Sequence, residues 1–306
     1  MRGVDSAPGF GLMASDLFSE AFPMAYDTLI SVPQLHALFA DGADVLVLDC
    51  DFELGMPDKG RAAYRAGHLP GARYAHLDED LAGPPDGSNG RHPLPARVAF
   101  AAWLRTQGLK QGQQVVACDS SGGAWAARAW WLLRWIGHAR VAVLDGGKQA
   151  WTAAGLPLET GDAAPAVPGD FVAGDPLVPS PATAREVLAN IEQGAAQVLD
   201  ARDPSRFRGD PNPVDPVAGH IPGARNRFFR DNLAADGRFR PADELGAAFT
   251  ALLGEQPALL SCGSGVTACH NALAMAVAGL PQPRLYPGSW SEWIGDPARP
   301  VATGDA

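Results

Sequence analysis

The sequence has few of the cysteines that a disulfide scaffold or a structural metal site would require. Its 306 residues include four cysteines, and no two of them form a Cys-x-x-Cys pair. Secreted disulfide scaffolds are shorter and richer in cysteine, and structural zinc sites need closely paired ligands. We therefore predict free thiols and no bound metal. The four positions are Cys50, Cys118, Cys262 and Cys269.

Dense basic runs, long apolar runs and a secretion signal are also missing. The 24 basic residues are outnumbered by 34 acidic ones and form no cluster, which argues against a nucleic-acid partner. No stretch supplies the roughly 18 uninterrupted apolar residues of a membrane helix. Residues 1–20 lack a basic segment followed by an apolar one. We expect a cytoplasmic protein without a membrane partner, in which residues 1–22 form a flexible tail.

The most informative pattern that is present is an internal duplication. The motif Gly-His-(Leu/Ile)-Pro-Gly-Ala-Arg occurs at residues 67–73 and again at 219–225. Each copy follows an apolar run that ends in an aspartate, Asp49 or Asp200, placed 19 or 20 positions before the motif histidine. Matching landmarks at nearly equal spacing indicate two homologous halves of about 150 residues each.

Short apolar runs alternate with helical stretches in both halves. Examples are the runs at residues 115–117 and 141–144 and the helical stretches at 126–136 and 266–278. This alternation predicts an α/β fold in which each half is a parallel sheet flanked by helices. We predict domains at residues 23–158 and 180–306, joined by a linker at 159–179 that is rich in Pro, Gly, Ala and Asp. Residues 83–95 are predicted to be a surface loop.

Cys262 stands at the junction between a predicted buried strand and a predicted helix. The apolar run at residues 258–261 precedes it, and Gly263-Ser264-Gly265 follows it. Two glycines allow the backbone to curl so that successive N–H groups point inward, and the helix end adds its positive dipole. Such a cradle stabilises a thiolate or a persulfide. The corresponding residue of the first half is Asp119, which cannot act as a sulfur nucleophile.

The loop at residues 262–268, Cys-Gly-Ser-Gly-Val-Thr-Ala, resembles the active-site loop of the rhodanese superfamily. Its Gly-Ser pair is more similar to the 3-mercaptopyruvate sulfurtransferase branch than to the thiosulfate branch, whose loop carries basic residues after the cysteine. The resemblance extends from about residue 26 to residue 300 and includes both Gly-His motifs and the Gly-Ser-Trp-Ser-Glu-Trp sequence at 288–293. It implies two rhodanese-like domains, a catalytic second domain and a site in the cleft between them.

The resemblance also implies roles for individual residues. Cys262 would take a sulfur atom from mercaptopyruvate as a persulfide, with Ser264, His68 and Asp58 as a proton-handling triad. Arg206 would pair with the substrate carboxylate, for which its planar fork is suited. No metal or organic cofactor is implied, and the acceptor would be cyanide, a small thiol or a reduced dithiol protein. The remaining loop residues predicted to bind the donor are Gly263, Gly265, Val266 and Thr267.

One departure from the family pattern concerns the substrate site. Members of the mercaptopyruvate type usually carry a second arginine several residues after Arg206, whereas residues 210–216 contain none. Arg208 is a candidate substitute. Thiosulfate:cyanide sulfur transfer is therefore an alternative function, as is a persulfide carrier or regulatory module with little turnover.

Other nucleophile classes do not fit this loop. A cysteine phosphatase needs Cys-x5-Arg, but the sixth residue after Cys262 is Ala268. A serine hydrolase needs Gly-x-Ser-x-Gly, a spacing that residues 263–265 lack. His220, in the second copy of the motif, is expected to hold a turn. The other three cysteines are expected to be core residues.

Overall fold

The first half of the chain forms a parallel five-stranded sheet in the computed structural model, which describes residues 25–305. Each neighbouring pair in the order β1-β5-β4-β2-β3 is parallel. The predicted tail at residues 1–22 lies outside the described residues. The strands are β1 (Leu29–Ile30), β2 (Val45–Asp49), β3 (Arg73–Tyr74), β4 (Gln114–Cys118) and β5 (Val141–Leu144).

The second half repeats this arrangement with four parallel strands among the described residues. Their order is β7-β6-β8-β9, which matches β3-β2-β4-β5 of the first half strand for strand. The predicted duplication and the predicted pair of parallel sheets are therefore confirmed. The strands are β6 (Gln197–Asp200), β7 (Arg225–Asn226), β8 (Ala258–Ser261) and β9 (Arg284–Leu285).

Helices connect the strands and cover the sheets. The first helix of each half begins with a reciprocal capping box, formed by Ser31 with Gln34 and by Thr183 with Glu186. No helix between residues 25 and 305 has both the length and the apolar character required to cross a membrane. The helices are α1 (Val32–Ala40), α2 (Pro57–Ala66), α3 (Arg97–Thr106), α4 (Ala126–Trp135), α5 (Gly147–Ala153), α6 (Ala184–Gln193), α7 (Pro204–Arg208), α8 (Ala242–Leu253), α9 (Ala268–Val277) and α10 (Ser289–Trp293), with a 3₁₀ turn at Phe229–Asn232.

The two halves share one apolar core. Helix α4 of the first half packs against helix α9 of the second. The largest apolar cluster includes Trp131 from α4 and Leu273 from α9, and both side chains are buried. Because the interface is continuous with the interiors of both halves, it fixes their relative position. A site built between them is consequently preorganised.

The stretch at residues 159–179 lies between α5 and α6 and contains no regular helix or strand. It follows the surface of the first half rather than leaving it. Phe171 is buried, and its N–H donates to the carbonyl of Leu109 at 3.2 Å. Leu177 donates to the carbonyl of Arg134 at 2.9 Å. The connection is thus anchored at several points along its length.

The aspartates that end the duplicated strands are each neutralised by a buried cation. Lys148 lies 2.9 Å from Asp49 and also contacts Asp51. In the second half, the guanidinium of Arg202 lies 2.7 Å from Asp200. A buried carboxylate without such a partner would be strongly unfavourable. The same position therefore carries an ion pair in both halves, although the cations come from different places in the sequence.

Asp119 occupies, in the first half, the position that Cys262 has in the second. It directly follows β4, and its carboxylate accepts four backbone N–H groups of the next loop at 2.8–2.9 Å. The Asp119 carboxylate thus serves as the hydrogen-bond acceptor for these loop amides. The donors are the N–H groups of Ser121, Gly123, Trp125 and Ala126.

Replacing Asp119 by alanine should destabilise the fold markedly. Amides left without an acceptor cost about 1–3 kcal/mol each, and entering water can satisfy some of them, so we expect a loss of about 3 kcal/mol. Urea unfolding measures the change. The matched control is Asp41→Ala, which removes an exposed carboxylate and should change stability by less than about 0.5 kcal/mol. Equal stability of the Asp119→Ala variant and the parent would contradict the structural role of Asp119.

Candidate active site

A pocket of about 370 Å³ opens between the two halves, next to Cys262. It combines an apolar wall with several arginines. The first half contributes Leu54, Arg91, His92, Ser121, Ala124 and Trp125, and the second contributes Ala201, Arg202, Asp203, Arg206, Phe228, Phe229, Arg230, Cys262, Gly263, Ser264, Val266 and Thr267. Of the loop residues predicted to bind a donor, Gly263, Val266 and Thr267 therefore line this pocket.

Cys262 begins the loop between β8 and α9. Its Sγ accepts the N–H of Gly265 at 3.1 Å, so the loop curls back over the sulfur. Gly265 has φ +75°, and a Cβ there would collide with the carbonyl of Pro287. Only glycine fits both requirements. Helix α9 begins at Ala268, two residues later than predicted, because Val266 and Thr267 still belong to the loop.

The segment at residues 288–291 holds this loop in place through hydrogen bonds. Ser289 accepts the N–H of Cys262 at 3.0 Å and donates its own hydroxyl to the carbonyl of Tyr286 at 2.9 Å. The N–H groups of Trp290 and Ser291 donate to the carbonyls of Cys262 and Gly263 at 3.0 and 2.9 Å. Ser289 has φ +51°, the one non-glycine with positive φ among residues 25–305. Such strain is kept where the surroundings enforce it, often at functional sites.

The histidine that meets Ser264 is His92. Its Nδ1 lies 2.7 Å from the Ser264 hydroxyl, and its Nε2 lies 3.0 Å from Asp78 Oδ1. Burial, with the nearby charges of Arg91 and Arg128, lowers the pKa of His92 to about 3. The ring is therefore neutral, with the Ser264 hydroxyl at Nδ1 and the Asp78 carboxylate near Nε2. Ser264 of the second half and His92 of the first are thus joined by a hydrogen bond, with Asp78 beside the ring.

His68 and Asp58 lie elsewhere. His68 stacks on Tyr64 with ring centroids 4.0 Å apart, and its Nδ1 meets the Tyr64 carbonyl at 2.9 Å. His220 does the same with Phe207 in the second half, at 3.8 and 2.8 Å. Both motif histidines thus hold equivalent turns. Asp58 is exposed in the first turn of α2, and neither Asp58 nor His68 lines the pocket.

Arg206 lies in the pocket but is already paired. Its Nε and Nη2 each lie 2.7 Å from the carboxylate of Asp215, a bidentate arrangement. Arg208, the candidate substitute for a second arginine, pairs with Asp210 at 2.9 Å and is absent from the pocket lining. The arginine beside Arg206 is instead Arg91, from the loop of the first half.

A fully buried arginine ties the two halves together at the site. Arg128 of α4 is 0% exposed. Its Nη1 donates to the carbonyl of Gly265 at 3.0 Å, and its Nη2 donates to the carbonyls of His92 and Pro93 at 3.1 and 3.2 Å. The loop that carries the thiol and the loop that carries the histidine therefore share one donor group.

Comparisons of the sequence with known protein families and proteins identify its relatives. A model of the rhodanese-like domain matches residues 31–154 and, again, residues 183–296. The chain belongs to the rhodanese-like domain family. A Pseudomonas aeruginosa protein named as a probable 3-mercaptopyruvate sulfurtransferase is 50% identical over 287 residues, which cover 92% of this chain and 100% of the relative.

Other members of the rhodanese-like family are more distant. A Mycobacterium tuberculosis protein provisionally described as a thiosulfate sulfurtransferase is 43% identical, over 91% of this chain and 98% of its own length. The crystal structure of a 3-mercaptopyruvate sulfurtransferase from Escherichia coli superposes with a TM-score of 0.75 at 32% identity, covering 87% of this chain and all of that one.

Sequence reasoning missed several residues of this rhodanese-like site. His92 and Arg91 lie in the stretch at residues 83–95, predicted to be a surface loop, but His92 and the prolines beside it are buried. Asp78 belongs to no recognised motif, and Ser289 lies in the 288–293 motif, which gave it no role. The available signal was an Arg-His-Pro sequence inside a loop that is otherwise rich in glycine and proline.

The protonation state of His92 can be measured by NMR of histidine labelled with ¹⁵N. We expect an unprotonated Nδ1 and a protonated Nε2 at pH 7, with no change down to about pH 5, because the pKa is lowered to about 3. The signal is assigned by its loss in His92→Gln. A titration of that signal near the ordinary value of about 6.5 would show that the ring is not desolvated as described.

Proposed function

We propose that the chain is a sulfurtransferase that moves sulfur from 3-mercaptopyruvate to a thiophilic acceptor through a persulfide on Cys262. The observation that carries the proposal is the contact of the Cys262 sulfur with the Gly265 amide, at the floor of a pocket reached by the Ser264–His92–Asp78 path. The names of the relatives from P. aeruginosa and E. coli support the choice of donor.

In the first half-reaction, the Cys262 thiolate attacks the donor sulfur. The new S–S bond forms as the C–S bond of mercaptopyruvate breaks, and the electron pair leaves with carbon as the enolate of pyruvate. The proton of the donor thiol passes to Ser264 and on to the neutral His92, which returns it to the enolate carbon. Asp78 stabilises the short-lived positive charge on the ring. Pyruvate leaves, and Cys262 remains as the persulfide.

In the second half-reaction, the acceptor takes the outer sulfur and frees the Cys262 thiolate. Cyanide, a small thiol or a reduced dithiol protein can serve, since each is a nucleophile toward a persulfide sulfur. We place the protein in the cytoplasm, where dithiol proteins are kept reduced and where its four unpaired cysteines remain thiols. No cofactor takes part in either step.

Replacing Cys262 by alanine should abolish sulfur transfer, because no other thiol lines the pocket described here. The protein is incubated with 3-mercaptopyruvate or thiosulfate, and pyruvate, sulfite and the mass of the intact protein are measured. The parent should gain the mass of one sulfur atom and lose it to cyanide. The matched control is Cys118→Ala, a buried cysteine of β4 that precedes Asp119 and should retain turnover.

Each alternative function has its own outcome in this assay. A higher kcat/KM for thiosulfate than for mercaptopyruvate would assign the chain to thiosulfate transfer. A persulfide that forms without turnover would favour a carrier. Turnover retained by Cys262→Ala would refute the persulfide mechanism.

The proton path predicts different effects for two histidine variants. His92→Gln should lower kcat for pyruvate release by about 10²- to 10⁴-fold, the usual loss when a proton-transfer group is removed. His68→Gln should retain turnover and lose stability, since His68 holds a turn. Steady-state kinetics and urea unfolding separate the two effects. If His68→Gln alone lost turnover in a folded protein, the path would have to run through His68.

A further inference from the structure

We propose that Arg91, from the first half, is the residue that binds the carboxylate of the sulfur donor. The inference rests on the sulfur-transfer function proposed above and assigns a specificity residue to it. The guanidinium groups of Arg206 and Arg91 both lie next to Gly263, the residue after Cys262. A Cβ placed on Gly263 would lie 3.0 Å from Arg206 Nη2 and 3.3 Å from Arg91 Nη2. These two cations approach the same spot from opposite halves of the chain.

Arg206 uses two of its five N–H donors on Asp215, and that carboxylate balances its charge. Both oxygens of Asp215 are bound by its Nε and Nη2 at 2.7 Å. Burial opposes ionisation of this carboxyl, yet the hydrogen bond and charge of Arg206, with the charges of Arg202 and Arg91, hold the pKa of Asp215 below its ordinary value. The carboxylate is therefore a permanent partner, and it occupies one edge of the guanidinium fork that would otherwise bind a substrate bidentately.

Arg202 is also committed to the protein. Its guanidinium is 1% exposed, lies 2.7 Å from Asp200 and donates to the carbonyl of Gly219 at 2.8 Å. The two arginines of the second half are thus balanced by two aspartates, Asp200 and Asp215. These four groups of the second half therefore have no net positive charge. The proposed reaction, however, brings an anionic sulfur and an anionic donor together, and a positive charge would stabilise them.

Arg91 lacks the carboxylate partner that Arg202 and Arg206 have. Arg230, the fourth arginine of the pocket lining, stacks on Phe229, whereas Arg91 lies against Gly263. Within residues 25–305, its guanidinium has no hydrogen bond and no carboxylate within 4.0 Å, and its Nε is buried without a partner. Its backbone is fixed, because its N–H donates to Ser291 Oγ at 2.9 Å. Holding an unpaired cation in a half-buried position is unfavourable. An anion entering the pocket would remove this penalty.

The donor's own shape fits this position. In 3-mercaptopyruvate, the carboxylate and the thiol lie at opposite ends of a three-carbon chain, so a carboxylate bound near Gly263 leaves the sulfur free to reach Cys262. A planar guanidinium matches a carboxylate in a bidentate manner. Arg91 thus brings from the first half the charge that residues 210–216 of the second half do not supply.

The test compares a charged donor with a neutral one. Mercaptoacetone has the thiol and ketone of 3-mercaptopyruvate but a methyl group in place of the carboxylate. Arg91→Met should lower kcat/KM for 3-mercaptopyruvate by about 10- to 100-fold, mainly through KM, as expected for losing a charge-assisted hydrogen bond. Its kcat/KM for mercaptoacetone should stay within about twofold of the parent. Arg91→Lys should be intermediate with the charged donor.

The matched control is Arg208→Met, which removes the same charge outside the pocket and should leave both donors unaffected. Equal losses with both donors, or no loss with either, in Arg91→Met would overturn the assignment. If Arg91→Met does not fold by circular dichroism, the ratio of the two donors in Arg91→Lys decides in the same way. A parent protein that releases no pyruvate would refute the proposed function itself, a result independent of any Arg91 variant.

Discussion

The site depends on one buried guanidinium that has carbonyl oxygens as its hydrogen-bond acceptors. Arg128 holds Gly265 of the thiol loop and His92 and Pro93 of the histidine loop at the same time. No carboxylate lies within ion-pair distance of it in the described part of the chain, and its burial lowers the pKa of the guanidinium from its ordinary value. The apolar contact of α4 with α9 brings the halves together, and Arg128 sets the register in which their two loops meet.

The duplication shows how one architecture serves two purposes. In both halves, a central parallel strand (β4 or β8) is followed by a residue whose side chain accepts backbone N–H groups of the next loop. In the first half that residue is Asp119, which binds four of those amides permanently. In the second half it is Cys262, whose sulfur receives one, from Gly265. The strand-end side chain thus accepts four loop amides in the first half and one in the second.

The sequence allowed the duplication, and the strand–loop–helix setting of Cys262, to be predicted because both follow from local patterns. Strand-end aspartates, repeated motifs and a glycine loop after an apolar run need no knowledge of distant contacts. The relay histidine is different: Ser264 and His92 are 172 positions apart and meet only because the halves dock as they do. The role of His68 was carried over from the resemblance, whereas its occurrence in both copies of the motif indicates a shared structural role, which His68 and His220 have. The position of Arg91 in the pocket could not be predicted either, because it too depends on how the halves dock.

The distribution of these groups has a consequence for the evolution of the chain. Cys262 and Ser264 belong to the second half, while His92, Asp78 and Arg91 belong to the first. The second half in isolation would keep Cys262, Ser264 and Arg206 but would lack His92 and Arg91. Both copies are therefore needed to complete the pocket, and a substitution at the junction between them bears on it as directly as one within either copy.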